Sequence, residues 1–409
     1  MRLLIHKAIF FLLLLGGLLP LRAQPAGLQV ITSGERKWEL LLQDIAGARQ
    51  TIDLEYYLLA DDASGRMIRD ALEEKAREGV RVRLLIENVT NFSMRKAYFQ
   101  QMAEAGIELR YFTDPDDYLW NVLPDLNYRD HRKIVVIDRN ICYLGGMNLA
   151  DHYRLDWRDT HLRLEGPAAL QLEQVFLANW RKAGGCPGGG GATLAATPTA
   201  TTSGSDAGSI GGQPQGVTPA MPSELTSDRC DSIEIVSGGP HYLAFLSRYC
   251  QMLSNAQDYV YFQTPYFCPP QKLVEALKQA AGRGIDVRLL IPRKTDHLTL
   301  TAANRSFYRE LLDAGVRIYE YQPRFDHSKT VVSDDHLTWI GSVNLDCRSL
   351  QINYEVAARV EGPALARQQK STFLSLLDDA HEITLEEVLA WPAAKRLLHR
   401  LPRLIRRQL

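Results

Sequence analysis

The chain has 409 residues, 45% of them hydrophobic, which is enough for two or three domains with complete cores. Its formal net charge of −1 gives no indication of nucleic-acid binding, and six cysteines are too few for a disulfide scaffold.

The N-terminus has the pattern of a secretory signal peptide. Arg2 and Lys7 precede the apolar residues 8–21, and Leu21-Arg22-Ala23 forms a plausible cleavage site. The apolar stretch is shorter than the roughly 20 residues that span a bilayer, and an uncleaved membrane anchor is the alternative. We predict that residues 1–23 are a signal peptide and that the protein is exported, to the periplasm or the outer face of the membrane.

The remainder of the chain contains the same order of elements twice. GVRVRLLI at 79–86 recurs as GIDVRLLI at 284–291, and AGIELRYF at 105–112 recurs as AGVRIYEY at 314–321. Segments with helical apolar spacing, such as MIRDALEEKAREG, alternate with β-branched segments such as KIVVID. This alternation predicts an α/β sandwich in each half, at 24–183 and 226–385, with the halves packed as a pseudo-dimer around one shared active site.

Two further segments lie outside these halves. Residues 184–225 are rich in Gly, Ser, Thr and Pro and contain almost no large apolar side chains, so we predict a flexible linker. Cys186 and Cys230 flank this linker and are candidates for a disulfide. Residues 386–409 combine basic residues with leucines at helical spacing, a pattern suited to an anionic membrane surface. A solvated helix is the alternative for this tail.

Each half contains one copy of the pattern H-x-K-x4-D. The copies consist of His131, Lys133 and Asp138, and of His327, Lys329 and Asp334. Roughly one chain in twenty of this length would contain a single copy by chance. Here the downstream spacing is shared as well: Asn148 and Asn344 each follow their histidine by 17 residues, and Asp159 and Glu355 each follow by 28. Two copies with shared spacing indicate a functional site.

The residue types suit the chemistry of a phosphoryl group. Residues i and i+2 of a strand share a face, so each histidine projects with its lysine into one pocket between the halves. Two ammonium groups and two asparagine amides would bind the phosphoryl oxygens. One histidine would attack phosphorus while the other protonates the leaving oxygen. Asp159 and Glu355 are placed to bond the far ring nitrogen of a histidine.

The aspartates of the pattern are expected to act differently. Asp138 and Asp334 each lie seven residues after a histidine, an odd number, and so would face away from it along a continuous strand. We predict a structural role for both, such as holding the strand end or a lysine. A metal site is the alternative use of the histidines and carboxylates, but the lysines would repel a divalent cation, so we expect neither metal nor cofactor. A purely structural duplication is a further alternative.

The paired patterns, with GGMN and GSVN downstream, resemble the HKD phospholipase D superfamily and, within it, the bacterial cardiolipin synthases. NYRDHRKIVVID, FQTPYFCPP, LLDAGVRIYEYQPRFDHSKTVV and GSVNLDCRSLQINYEV carry the resemblance, which extends over about residues 28–182 and 232–380. It implies a covalent phosphohistidine intermediate and transfer of a phosphatidyl group from one phospholipid to an alcohol, typically the glycerol end of phosphatidylglycerol. By analogy we expect His131 to be the nucleophile and His327 the proton donor.

Other segments are weaker candidates. TPYF at 264–267 and EYYL at 55–58 end equivalent strands, so their aromatic residues, with Glu55 and Gln263, either line the site or belong to the core. The apolar segment 117–128 is either an entrance flap that dips into lipid or a packed loop. We expect phospholipid substrates, peripheral contact with a membrane through the flap and the tail, and no nucleic acid. A hydrolytic phospholipase D, a secreted nuclease and a lipid-binding pseudoenzyme remain alternatives.

Overall fold

The structure is a computed structural model that describes residues 27–112, 128–186, 232–240, 242–394, 399 and 403. The predicted signal peptide, Cys230, the predicted linker from residue 187 onward and all of the predicted flap except Tyr128 lie outside the described residues. In the part of the chain that the structure describes, no helix has the length and apolar character needed to cross a bilayer.

The first half forms a seven-stranded sheet of order β1-β7-β6-β5-β2-β3-β4. Its strands are β1 (Gly27–Ile31), β2 (Thr51–Tyr56), β3 (Arg81–Glu87), β4 (Glu108–Phe112), β5 (Lys133–Ile137), β6 (Ile141–Gly145) and β7 (His161–Glu165). Its helices are α1 (Gly34–Gly47), α2 (Ala63–Arg77), α3 (Gln100–Glu104), α4 (Asp151–Leu155) and α5 (Pro167–Lys182).

The second half forms an eight-stranded sheet of order β17-β12-β11-β9-β13-β14-β16-β8. Its strands are β8 (Ser232–Gly238), β9 (Tyr259–Gln263), β11 (Asp286–Pro292), β12 (Arg317–Tyr321), β13 (Thr330–Ser333), β14 (Leu337–Gly341), β16 (Glu355–Glu361) and β17 (Ala380–Ile383), and β10 (Phe267–Cys268) pairs separately with β15 (Leu345–Asp346). Its helices are α6 (Ala244–Asn255), α7 (Gln271–Gly282), α8 (Leu298–Arg305), α9 (Tyr308–Asp313), α10 (Cys347–Gln351), α11 (Pro363–Leu376) and α12 (Leu385–Ala390).

The two sheets share one topology. Strands β2, β3 and β4 are parallel, as are β9, β11 and β12, and in each half the motif strand, β5 or β13, runs antiparallel to the first of them. The second sheet repeats the order of the first and adds β17 at its edge. The prediction of an α/β fold built from two repeated halves is confirmed.

An apolar core joins the halves. Ile134, Leu144 and Leu164 of the first half and Ile340 and Val356 of the second belong to one buried cluster, and none of the five exposes more than a trace of its surface. Burial of apolar surface stabilises at about 25 cal/mol per Å², so this shared core holds the two motif strands in fixed relation. That relation positions the site.

The described residues of the predicted C-terminal tail contact the second half. Arg403 donates a hydrogen bond to Glu310 at 3.2 Å, and its guanidinium lies 4.1 Å from the ring centre of Phe307. The imidazole of His399 is buried and lies 5.0 Å from the ring of Trp391. The other basic residues of the tail, which motivated the prediction of a membrane contact, lie outside the described residues.

Candidate active site

Each motif enters its strand across a bridge to the other half. The backbone N–H of His131 donates to the carbonyl of Tyr354 at 2.9 Å, and that of His327 donates to the carbonyl of Arg158 at 2.7 Å. The two bridges occupy equivalent places in the repeat, because the number of positions from His131 to His327 equals the number from Arg158 to Tyr354. The halves therefore meet about an approximate two-fold axis, as subunits do in a symmetric dimer.

The bridges bring a carboxylate of each half to the histidine of the other. His131 Nδ1 lies 3.0 Å from Glu355 Oε1, and His327 Nδ1 lies 2.7 Å from Asp159 Oδ2. All four side chains are largely or fully buried: that of His131 is 11% exposed and that of His327 is 3% exposed. A carboxylate on Nδ1 fixes the ring and its tautomer, which leaves Nε2 to react.

The two lysines lie beside the histidines. Lys133 Nζ donates to the carbonyl of His131 at 2.6 Å, and Lys329 Nζ donates to the carbonyl of His327 and lies 2.8 Å from its Nδ1. Burial lowers the pKa of Lys133 to about 7 and that of Lys329 to about 8, and the two ammonium groups repel each other. Near neutral pH the two lysines therefore carry less positive charge than they would in water, and a phosphodiester anion bound between them would raise both pKa values and restore that charge.

The pKa values of both histidines and of Asp159 are also shifted. Burial lowers the pKa of His131, and it lowers the pKa of His327 well below its usual value, where the neighbouring lysines add to the effect. Burial raises the pKa of Asp159 to about 6, against the opposing influence of Lys329. Both imidazoles are therefore neutral at pH 7 in the empty site, as an attacking imidazole must be.

The two asparagines have buried side chains. The side-chain oxygens of Asn148 and Asn344 are buried and, among the described residues, accept no hydrogen bond. The Asn148 amide nitrogen donates to the hydroxyl of Tyr153 at 2.8 Å. Rotation of this amide by 180° would let its oxygen accept from Tyr153 and put the amide nitrogen where the unpaired oxygen now lies, so that it could donate to a phosphoryl oxygen.

The aspartates of the pattern lie at the opposite end of the motif strands. Asp138 accepts three backbone hydrogen bonds at 2.7–2.9 Å from residues 49–51, which lead into β2. Asp334 accepts three at 3.0–3.2 Å from residues 257–259, which lead into β9. Both aspartates have positive φ in the turn that follows the motif strand. They connect neighbouring strands and do not face the histidines.

Two serines that donate hydrogen bonds to Glu355 were not predicted from the sequence. Ser349 Oγ donates to Glu355 at 2.6 Å, and Ser342 Oγ donates to the same carboxylate and accepts from the backbone N–H of Val356. The equivalent of Ser342 in the first half is Gly146, where a Cβ atom would lie 2.2 Å from Asp159 Oδ1. The difference between GGMN and GSVN was the available signal for this asymmetry.

Among the described residues, aromatic rings surround His327 far more than His131. Tyr153, Trp157, Tyr266 and Phe325, here called the aromatic wall, have ring centres 5.3–6.0 Å from that of His327. On the other side, Tyr57 lies 5.0 Å from His131. Tyr57 and Tyr266 belong to the two strand-end segments, so those segments do contribute to the site. Their neighbours Tyr56 and Phe267 are core residues.

The weaker candidates Glu55 and Gln263 contact the residues adjacent to the two histidines in sequence. Glu55 accepts from Arg132 at 2.7 Å, and Gln263 donates to Asp326. Both are buried in networks that hold the residues next to the histidines. Within the described ranges, no group of three or more His, Cys, Asp or Glu side chains converges as metal ligands would.

Comparison with known proteins gives a consistent result. Residues 41–180 and 249–377 match the family described as cardiolipin synthase, PLD-like domain. The major cardiolipin synthase ClsA of Bacillus subtilis (strain 168) is 35% identical over 384 residues, which cover 92% of this chain and 74% of that protein. Cardiolipin synthase 2 of Bacillus anthracis is 36% identical over 381 residues, 91% of this chain and 68% of that protein. The crystal structure of phosphatidylserine synthase from Haemophilus influenzae Rd KW20 superimposes with a TM-score of 0.66 at 13% identity, over 95% of this chain and 97% of that chain.

Proposed function

This chain belongs to the cardiolipin synthase family of phospholipase D-like phosphatidyltransferases, and we propose that it converts two phosphatidylglycerol molecules into cardiolipin and glycerol through a covalent phosphohistidine. The observation that carries the proposal is the crossed pairing of His131 with Glu355 and of His327 with Asp159. This pairing orients two imidazoles at one site, and the two buried lysines lie beside them.

The first half-reaction forms the intermediate. Lys133 and Lys329 bind the non-bridging oxygens of the donor phosphodiester, with Asn148 and Asn344 beside them. Nε2 of one histidine attacks phosphorus, and a phosphorus–nitrogen bond forms as the bond from phosphorus to the glycerol oxygen breaks. The other histidine gives that oxygen its proton, so neutral glycerol leaves.

The second half-reaction reverses these roles. A primary hydroxyl of a second phosphatidylglycerol gives its proton to the histidine that had donated one. Its oxygen attacks phosphorus, the phosphorus–nitrogen bond breaks, and cardiolipin forms with the nucleophile restored. Water in place of that hydroxyl would give phosphatidic acid, the product of a hydrolytic phospholipase D.

We assign His131 as the nucleophile and His327 as the proton donor. The imidazole of His131 is the more exposed of the two, which favours its approach to phosphorus. The carboxylate of Asp159, at 2.7 Å, would favour a protonated His327. Burial lowers the pKa of His327 further than that of His131 in the empty site, but an adjacent phosphodiester anion raises the pKa of both imidazoles.

We also propose that the protein acts outside the cytoplasm, on the surface of a membrane. The signal-peptide pattern of residues 1–23 and the basic residues of 386–409 support this placement. Cleavage at Ala23 and export of the mature chain are checked by N-terminal sequencing of protein from the native cell fractions.

The experiment is a lipid conversion assay with trapping of the intermediate. Full-length protein is incubated with phosphatidylglycerol vesicles and chelator, and the lipids are analysed by mass spectrometry. Cardiolipin with an equal amount of glycerol is expected, whereas phosphatidic acid alone would replace the transferase with a hydrolase. With bis(p-nitrophenyl) phosphate, whose p-nitrophenolate leaves without a proton, His327→Ala is expected to accumulate a phosphoryl label on His131, and label on His327 in a His131→Ala variant would reverse the assignment.

A further inference from the structure

One carboxylate at the mouth of the site has no part in the mechanism above. Asp296 lies in the loop between β11 and α8, and its side chain is 29% exposed. The hydroxyl of Tyr266 donates to Asp296 Oδ1 at 2.7 Å, and the ring of Tyr266 lies 6.0 Å from that of His327. The carboxylate is thus held beside the aromatic wall, and it is more exposed than His327.

The repeat shows that this position is used differently in the two halves. VRLLI of β3 and VRLLI of β11 align without a gap, so Asn91 is the equivalent of Asp296. Asn91 is fully buried and bonds the backbone of Leu59, Tyr57 and Glu87, as a residue that stabilises a loop would. Asp296 makes no such set of backbone contacts among the described residues, so stabilising its loop does not account for it.

The chemistry of Asp296 favours a hydroxyl donor. Its second oxygen, Oδ2, lies 3.8 Å from His297 Nε2, beyond hydrogen-bond distance, and a carboxylate only accepts hydrogen bonds. A negative charge here disfavours a phosphate, which the lysines bind instead, and favours neutral hydroxyls. Aromatic rings beside a carboxylate suit the carbon face and the hydroxyl groups of a small polyol.

We propose that Asp296, held by Tyr266, determines specificity for the alcohol by accepting hydrogen bonds from glycerol hydroxyls of the phosphatidylglycerol headgroup. The inference rests on the proposed function and names the residue that selects its acceptor. Water and simple alcohols have no second hydroxyl to place on the carboxylate while the first attacks. A site built to bond a substrate hydroxyl rejects analogues that lack it, because its own polar group is then left unpaired.

The test compares Asp296→Asn with the wild type and with two other variants. Tyr266→Phe removes the hydroxyl that holds the carboxylate, and Asp313→Asn changes a half-exposed carboxylate of α9 as the matched control. Cardiolipin formation from phosphatidylglycerol is expected to fall about 10- to 100-fold in Asp296→Asn, the equivalent of one hydrogen bond to a charged group. It is expected to fall less in Tyr266→Phe and to stay unchanged in Asp313→Asn. Hydrolysis of bis(p-nitrophenyl) phosphate, which has no glycerol, is expected to stay within about twofold of the wild type in Asp296→Asn and in Asp313→Asn.

A competition assay gives the decisive readout. With phosphatidylglycerol as donor, deuterium-labelled glycerol, ethanol and ethanolamine compete as acceptors, and the label distinguishes newly formed phosphatidylglycerol from the donor. Asp296→Asn is expected to lose the preference for glycerol over ethanol. An unchanged preference, an equal loss of bis(p-nitrophenyl) phosphate hydrolysis, or a selective loss of ethanolamine would each overturn the inference. A wild type that forms no cardiolipin would refute the proposed function, and the glycerol-to-ethanol ratio in the same assay would still decide the role of Asp296.

Discussion

In the proposed mechanism the two histidines depend on each other, because each half-reaction needs one as nucleophile and the other as proton carrier. We predict that His131→Ala and His327→Ala each lower kcat on phosphatidylglycerol by about 10³-fold or more. Residues that act as a unit are not additive, so the double variant is expected to be no slower than the slower single variant. Cardiolipin formation by the three variants, with circular dichroism to confirm folding, checks this. A single variant that retains a tenth of the activity would contradict the two-histidine mechanism.

The buried lysines predict a pH profile. With the pKa of Lys133 near 7 and that of Lys329 near 8, the free enzyme loses positive charge as pH rises through this range. We therefore expect kcat/KM for bis(p-nitrophenyl) phosphate, whose own charge is constant here, to fall between pH 7 and 9. The acid limb is expected below pH 6.5, because the pKa values of both histidines are lowered.

Arginine variants provide the control for that profile. Arginine stays charged throughout the range, so Lys133→Arg or Lys329→Arg, where it retains turnover, is expected to move the alkaline limb to higher pH. A wild-type kcat/KM that stays constant from pH 7 to 9.5 would show that the lysines remain protonated in the free enzyme.

Single residues differ in how far the sequence could place them. Equal spacing from the two histidines identified Asp159 and Glu355 as candidate orienting groups, and an odd spacing separated Asp138 and Asp334 from the site. The sequence could not show which carboxylate would serve which histidine, because that depends on how two rigid halves dock. Asp296 was missed for the same reason, since its significance comes from Tyr266, 30 positions away in the chain.

At the scale of elements, the turns after β6 and β14 are equivalent in sequence position but differ in packing. A Cβ at Gly146 would overlap Asp159, whose carboxylate is already fixed by His327 and by the N–H of Thr160, each at 2.7 Å. We predict that Gly146→Ala lowers kcat about 100-fold by displacing this carboxylate. Ser342→Ala removes one hydroxyl from Glu355 and is expected to cost about tenfold.

Steady-state kinetics of both variants on bis(p-nitrophenyl) phosphate check this order, with thermal melts to separate misfolding from lost chemistry. Ser349 continues to hold Glu355 in the Ser342→Ala variant, which is why its loss is expected to be the smaller one. Activity of Gly146→Ala close to that of the wild type would show that Asp159 can move without effect.

The turns at the other end of the motif strands predict changes in stability. Asp138 has a φ of 48° and accepts three backbone hydrogen bonds, so Asp138→Ala removes the bonds and places a less suitable residue in the left-handed region. We expect the free energy of unfolding to fall by about 2–3 kcal/mol, and less in Asp138→Asn, which tolerates this φ and keeps one acceptor oxygen. Urea denaturation of both variants measures this.

Kinetics on the same samples distinguish a structural from a catalytic role. If Asp138 acts only through the strands, kcat of the folded fraction of Asp138→Ala stays close to that of the wild type. A loss comparable to that of His131→Ala would assign this aspartate to the chemistry.

Element type was predictable because periodicity and duplication reinforce each other. The strand KIVVID and the helices that end shortly before Gly79 and Gly284 follow from local pattern, and the repeat predicts that both sheets share one order. The short parallel pair β10–β15 has its counterpart in the first half, in the isolated parallel bridge between Leu59 and Leu149. The additional edge strand β17 has no equivalent among the described residues of the first half, so duplication gave no signal for it.

At the scale of the whole molecule, the site exists only between the halves. Each histidine takes its backbone bridge and its orienting carboxylate from the opposite half, so neither half alone contains a complete pair. The apolar core that joins the sheets therefore has a catalytic consequence, because it sets the distance between the two imidazoles. Composition and periodicity predict that such a core exists, whereas its geometry depends on the side-chain packing of both sheets at once.

Burying two lysines at this interface predicts a conflict between stability and function. Because the pKa of Lys133 falls from 10.5 to about 7 on folding, the native state binds fewer protons than the unfolded state between these values. The stability of the empty enzyme is therefore expected to rise as pH increases through this window, and at pH 7 the lysine destabilises the fold. We predict that Lys133→Met is inactive yet more stable than the wild type by about 1–3 kcal/mol at pH 7, with a weaker dependence on pH.

Chemical denaturation at pH 7 and pH 9 measures both effects, with exposed Lys272→Met as the matched control that should change neither. Added inorganic phosphate is expected to raise the melting temperature of the wild type by binding only the native site, and to leave that of Lys133→Met unchanged. A Lys133→Met variant less stable than the wild type at pH 7 would mean that this ammonium stabilises the interface even without substrate. A site that is least stable when empty gains the most from its substrate, so the same residue that binds the phosphodiester would also tighten the two halves around it.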